Sequence, residues 1–147
     1  MSLHGDYDTD NIFAKILRGE APCFRAFEDE IVLAFMDLFP VSRGHMLVIP
    51  KRAAARNFLE LPEAEVGPYM QRVQRVAKGV TRALEPDGVA IFQFNGAPAG
   101  QTVFHLHFHI VPRWEGQPMG QHGKTPMADK ADLAALAERI SAAITAS

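Results

Sequence analysis

Three histidines at spacing two, His105, His107 and His109, stand in the run QTVFHLHFHIVPR over residues 101–113. Leu106, Phe108, Ile110 and Val111 fill the gaps and extend the run. Strict alternation among β-branched and aromatic residues specifies a strand. Successive strand side chains point to opposite faces. The three imidazoles therefore share one face, and Leu106, Phe108 and Ile110 share the other, against a core. A solvated strand face is normally built from Thr, Lys and Glu, and a row of ionisable rings on one face marks a candidate site instead.

Two chemistries use such a row. Neutral imidazole is the commonest metal ligand, and neighbours at i and i+2 can share an ion. At roughly 3.3 Å per residue, His105 and His109 stand about 13 Å apart, too far for one ion with bonds of about 2 Å. A metal would need two of the three and a ligand from elsewhere, for which His45 is the obvious candidate. Imidazole also attacks phosphorus, carries a covalent intermediate and moves protons near neutral pH. The loop NGAPAG at 95–100 favours this second reading. Its glycines let the backbone turn tightly and present N–H groups to an anion, and Gln101 and Thr102 follow as neutral donors. Spacing alone leaves the three histidines equivalent.

The run NGAPAGQTVFHLHFHIVPR at 95–113 closely resembles the signature of the histidine triad (HIT) family, His-φ-His-φ-His-φ-φ with φ apolar. NIFAKILRGE at 11–20, VLAFMDL at 32–38 and RGHMLVIPK at 43–51 resemble that family's N-terminal segments in the same order. The resemblance implies an α+β domain with a five-stranded antiparallel sheet, a long central helix, a C-terminal helix and a homodimeric assembly. It also implies hydrolysis at the α-phosphate of a purine nucleotide, through a nucleotidyl-histidine intermediate that releases AMP or another nucleoside monophosphate. The substrate would be a nucleoside phosphoramidate or a dinucleoside polyphosphate, with no cofactor and no metal. On this likeness His107 is the nucleophile, His109 meets phosphate or the leaving group, and His105 and His45 orient their neighbours. Ile12, Phe13 and Ile16 match base-pocket positions, although they equally read as the stripe of a core-facing helix. Phe35, Met36 and Leu38 match nucleoside contacts. Asp37 matches a ribose contact, although a carboxylate at a strand end is also an ordinary turn former. Asn95, Gln101 and Thr102 match the phosphate side.

The chain departs from the family in two places. Some members bind zinc through an N-terminal cysteine pair, whereas Asn11 and Ala14 stand here, so no structural zinc is expected. Members often carry an amide where this chain has Phe94. The third histidine, in place of the glutamine of related transferases, implies hydrolysis rather than transfer. A nucleotide-binding module without turnover and a metal-binding protein are the rival functions.

At 147 residues the chain reads as one domain at 10–147 behind a flexible stretch at 1–9. Its net charge of −2 gives no basic field for nucleic acid. The single cysteine, Cys23, excludes an intrachain disulfide and suits a reducing compartment. No apolar run approaches the ~20 residues of a membrane helix, and no leader pattern opens the chain. The expectation is a cytoplasmic protein.

Periodicity predicts a short helix capped by Asp10 or Asn11, then strands at 24–27, 31–36, 45–50 and 89–94. The last of these forms a hairpin with the histidine strand. A long helix opens at Pro62, with Glu63 and Glu65 at its positive end and Pro68 early in its length. Its Arg72, Arg75, Lys78 and Arg82 read as a solvated face. Residues 115–127 read as a loop in which His122 meets solvent, before a terminal helix with Leu133, Leu136 and Ile140 inward.

Overall fold

The computed structural model describes residues 3–146; residues 1, 2 and 147, at the ends of the expected flexible stretch and of the domain, lie outside it. The first helix, α1 (Ile12–Leu17), is capped by Asn11, whose Oδ1 accepts from Ala14 N–H at 2.9 Å. Strands β1 (Arg25–Glu28), β2 (Val32–Met36) and β3 (Met46–Pro50) follow, then α2 (Glu63–Leu84), β4 (Gly88–Phe92), β5 (Phe108–Arg113) and α3 (Lys130–Thr145). The five strands form one antiparallel sheet in the order β1-β2-β3-β5-β4.

Every residue of β2 and β3 is buried, because the sheet is covered on both faces. Val32, Ala34, Met36, Met46, Val48 and Ile110 join the core built with α2 and α3. Leu33, Phe35, Leu47 and Ile49 face the other way and pack with Phe13 and Ile16 of α1. The register sets Leu47 opposite His109, so the histidine row lies on the α1 face. Tyr69 of α2 is fully buried and its hydroxyl donates to Val48 O at 2.7 Å, tying helix to sheet. Pro68 lies inside α2 without ending it.

The sheet departs from expectation at β5. The strand begins at Phe108, and His105 and His107 precede it in irregular backbone. Leu106 N–H donates to Ala55 O at 2.9 Å, so the chain here pairs with the segment before α2 rather than with β4. The expected hairpin is two neighbouring antiparallel strands joined by a long connection at 93–107. The expectation of one solvated basic face on α2 is also corrected, since Arg72 Nε donates to Asp29 Oδ2 at 2.9 Å with both side chains largely buried. Residues 3–9 hold no helix or strand, yet Arg56 donates to Asp6 O and Asn57 to Leu3 O.

At Gly79 the backbone of α2 lies close against α3: a Cβ there would clash with the Ile144 side chain. Elsewhere in a helix Gly→Ala gains up to ~1 kcal/mol, while overpacking costs ~1–3 kcal/mol. Gly79→Ala is expected to lower the unfolding free energy by about 1 kcal/mol in urea titration, and Ile144→Ala in the same chain to remove that clash penalty.

Candidate active site

The tautomers of the four histidines follow from their partners. Val41 N–H, which only donates, lies 3.1 Å from His45 Nδ1, so that nitrogen is unprotonated. His45 then carries its proton on Nε2 and donates to His109 Nδ1 at 2.9 Å. His109 is left with its proton on Nε2, a buried donor with no partner among the described residues. His105 Nε2 lies 3.2 Å from Pro50 O, an acceptor only, so His105 donates there and its Nδ1 accepts from the Tyr7 hydroxyl at 2.6 Å. His107 Nδ1 donates to His105 O at 2.7 Å, so its Nε2 carries the bare lone pair. What spacing left equivalent, hydrogen bonding separates: one nucleophilic nitrogen, one donor and one fully tied ring.

All four rings are at most 6% exposed. Burial lowers His105 and His107 to about 4, His45 to about 3 and His109 to about 2, so all are neutral at pH 7. Hydrogen bonds from His105 to Pro50 O and from His107 to His105 O act the other way but are outweighed. Asp37 Oδ2 lies 3.4 Å from His45 Nε2, and with a neutral His45 this is no ion pair. Burial raises the Asp37 carboxyl, while its Oδ1 accepts from Phe39 N–H at 2.8 Å in a tight turn.

The glycine loop is organised differently from its sequence expectation. Gly96 and Gly100 do take positive φ, 90° and 113°, as the tight turn demands. The N–H groups of Gly96, Ala99, Gly100 and Gln101 are all bonded within the segment, however, so they are not free to hold an anion. Gln101 is also committed: its Oε1 accepts from Gly96, and its Nε2 donates to Arg56 O and Val103 O. It shapes the loop rather than offering a donor to substrate. Asn95 Oδ1 accepts from Phe58 N–H and Gln93 Nε2, away from the histidines. Thr102 is exposed and makes no hydrogen bond among the described residues, which leaves it available.

Phe13 meets His107 edge-on at 5.0 Å between centroids and Phe35 at 5.4 Å, and Ile16 packs in the same cluster. Ile12 is 47% exposed at a cleft with Asn11, Arg56 and Thr102. Met36 and Leu38 are corrected: both pack with the α2–α3 core on the far face of the sheet. Phe35 and Met36 are adjacent in β2 and cannot share a face.

His122 was missed. The residue is half-buried with its Nε2 shielded from solvent, and its ring stands 5.3 Å from His109 at 90° and 5.4 Å from Phe94. Its segment is held by Gly120 N–H to Val41 O at 2.7 Å and by the Thr125 hydroxyl to Phe39 O at 2.8 Å. Phe92 completes the wall, stacked on His109 at 4.7 Å and 16°. No periodicity marks a histidine in a Gly/Pro-rich stretch, so only the fold reveals it.

Asp37, His45 and His109 form a group whose ligand atoms lie within 4.8 Å of one another. Two of those atoms already share the His45–His109 hydrogen bond, which an ion would have to break. A zinc of the cysteine-pair kind does not fit: Ala14 offers no ligand atom, and Asn11 Oδ1 caps α1.

Residues 18–116 match the HIT domain family. A Hit-like protein involved in cell-cycle regulation from Bartonella henselae, crystallised with an unknown ligand, superposes with a TM-score of 0.86 at 43% identity, covering 94% of this chain and 99% of that one. An adenosine 5'-monophosphoramidase of Schizosaccharomyces pombe is 41% identical over 102 residues, 69% of this chain and 73% of that protein. An adenylylsulfatase of Arabidopsis thaliana is 35% identical over 119 residues, 77% of this chain and 60% of that protein.

The buried rings give stability a pH signature. An unfolded histidine titrates near ~6.5, whereas the folded rings titrate at about 4 or below. Between those values the unfolded chain binds the extra protons, so stability is fully present above pH ~6.5 and falls as pH drops toward ~4. Urea midpoints measured across that window should fall steeply, and less steeply in His45→Gln, which removes one of the titrating rings.

Proposed function

The chain belongs to the histidine triad family, and on that premise we propose that it is a nucleotide hydrolase acting at the α-phosphate of a purine nucleoside phosphoramidate or dinucleoside polyphosphate. The observation that carries this is the bare Nε2 of His107, neutral at pH 7 and set between the apolar Phe13 wall and the donor His109. The names of two relatives, adenosine 5'-monophosphoramidase and adenylylsulfatase, share the adenylyl group and differ in what leaves it.

In the first step the His107 Nε2 lone pair bonds to the α-phosphorus as the bond to the leaving amine or phosphate breaks and its electron pair departs with that group. A leaving amine takes a proton, for which His109 Nε2–H is the buried donor beside His107. The nucleotidylated ring is cationic, and its Nδ1–H bond to His105 O strengthens with that charge. In the second step water attacks phosphorus, the P–N bond breaks, and its pair returns to His107. AMP or another nucleoside monophosphate leaves, and the water proton restores the donor. Phe13, Ile16 and Phe35 supply an apolar wall for the base, Asp37 accepts from the ribose hydroxyls, and Thr102 donates to phosphate.

The same reading includes a homodimer. Val89 and Ile91 of the edge strand β4 are 37% and 46% exposed, and they line an apolar cleft with Val73 and Ala77 of α2. A second copy covers such an edge and removes its unpaired backbone groups from water. Nucleic acid and membrane are not among the proposed partners: the net charge is −2, and no helix among the described residues is long and apolar enough to cross a membrane. A cytoplasmic setting remains part of the proposal.

Incubating metal-stripped protein with an adenosine phosphoramidate and, separately, with diadenosine tri- and tetraphosphate should release AMP from at least one. His107→Asn should lower that rate by about a thousandfold or more while AMP still binds. A full rate in the mutant would remove His107 as nucleophile, and binding without release from any substrate would mark a non-catalytic module. Ile91→Lys should shift the protein from dimer to monomer in light scattering coupled to gel filtration.

A further inference from the structure

The site holds two buried nitrogens without partners, His109 Nε2 and His122 Nε2, on rings 5.3 Å apart and perpendicular. Leaving a buried polar atom unmatched is costly, so two of them on adjoining rings mark a place for a ligand atom. His109 is 1% exposed and its Nε2 is fixed as a donor by the bond from His45. No hydrogen bond among the described residues fixes the tautomer of His122, so its Nε2 can also present a proton. The atom that satisfies both is an acceptor with two lone pairs, and a phosphoryl oxygen has them.

The surroundings leave this task to few other groups. Phe92 stands against His109 and Phe94 against His122, and neither ring donates a hydrogen bond. The loop N–H groups at 96, 99, 100 and 101 and the Gln101 amide are bonded elsewhere. We propose that His122 is a phosphate-binding residue, which closes with His109 on one phosphoryl oxygen of the bound nucleotide while His107 faces the phosphorus. The proposal rests on the nucleotide reading of the site and adds to it a ligand from outside the triad. The segment carrying His122 suits this use. Hydrogen bonds at Gly120 and Thr125 anchor it on both sides, and Gly123 at φ +81° lets it turn between them.

The test compares AMP with adenosine, which lacks the phosphate, by calorimetry on the full chain. Wild type should prefer AMP. His122→Ala should lose about tenfold in AMP affinity with adenosine unchanged, the effect of one lost hydrogen bond to a charged group. His122→Gln, which keeps a donor, should recover part of the loss, with thermal melting showing each variant folded. An AMP-to-adenosine ratio that stays at the wild-type value, or an equal loss for both ligands, overturns the proposal, as does a wild type with no preference. If wild type turns over no substrate while His122→Ala still loses AMP selectively, the phosphate contact stands and only the hydrolase reading falls.

Discussion

A backbone N–H at Val41 decides the tautomer of His45 and, through it, that of His109 on β5. It donates to His45 Nδ1, which sends the His45 proton to Nε2 and from there toward His109. Backbone donors do not titrate, so the sense of this relay is fixed by the fold. The same short segment, 38–41, also anchors the stretch that carries His122. One irregular connection between β2 and β3 therefore sets the proton inventory of the site and closes its far side. The His107 lone pair is fixed in the same manner, by a carbonyl two residues earlier in the chain.

Burial makes this control effective and also shapes how the site meets charge. Four buried rings are held neutral, so they would bring dipoles to a ligand rather than full charges. Preorganised donors in a water-poor pocket are worth more than the same donors in water. In the proposed hydrolysis, neutral neighbours would also spare a cationic nucleotidyl-imidazole any like-charge repulsion. With a net charge of −2 the chain has no overall field to draw in an anion, so recognition falls to short-range contacts.

Much of the fold was legible because it rests on periodicity. The β-branched runs gave all five strands within a residue or two, apart from the late start of β5, and the i, i+3, i+4 stripe gave α2 and α3. Alternation grouped the three imidazoles, although only His109 lies in β5 and backbone irregularity positions His105 and His107. The errors have physical causes. Met36 beside Phe35 already showed by alternation that it turns away, and a motif match taken without that rule overrode it. Gln101 looks like a free donor in sequence, whereas its bonds to Arg56 and Gly96 depend on chain brought in from elsewhere. Tautomers and the approach of His122 are tertiary facts that no local pattern carries.

The contacts that define the site join parts of the chain far apart in sequence: Tyr7 to His105 across 98 residues, His45 to His109 across 64, Gln101 to Arg56 across 45. Each closes a long loop, whose entropic cost is met only after the intervening segments are in place. Helices and neighbouring strand pairs can form without them. The hydrogen bonds of the histidine cluster are therefore a mark of the last stage of assembly. A partly folded chain with most of its secondary structure would still lack imidazoles of defined tautomer.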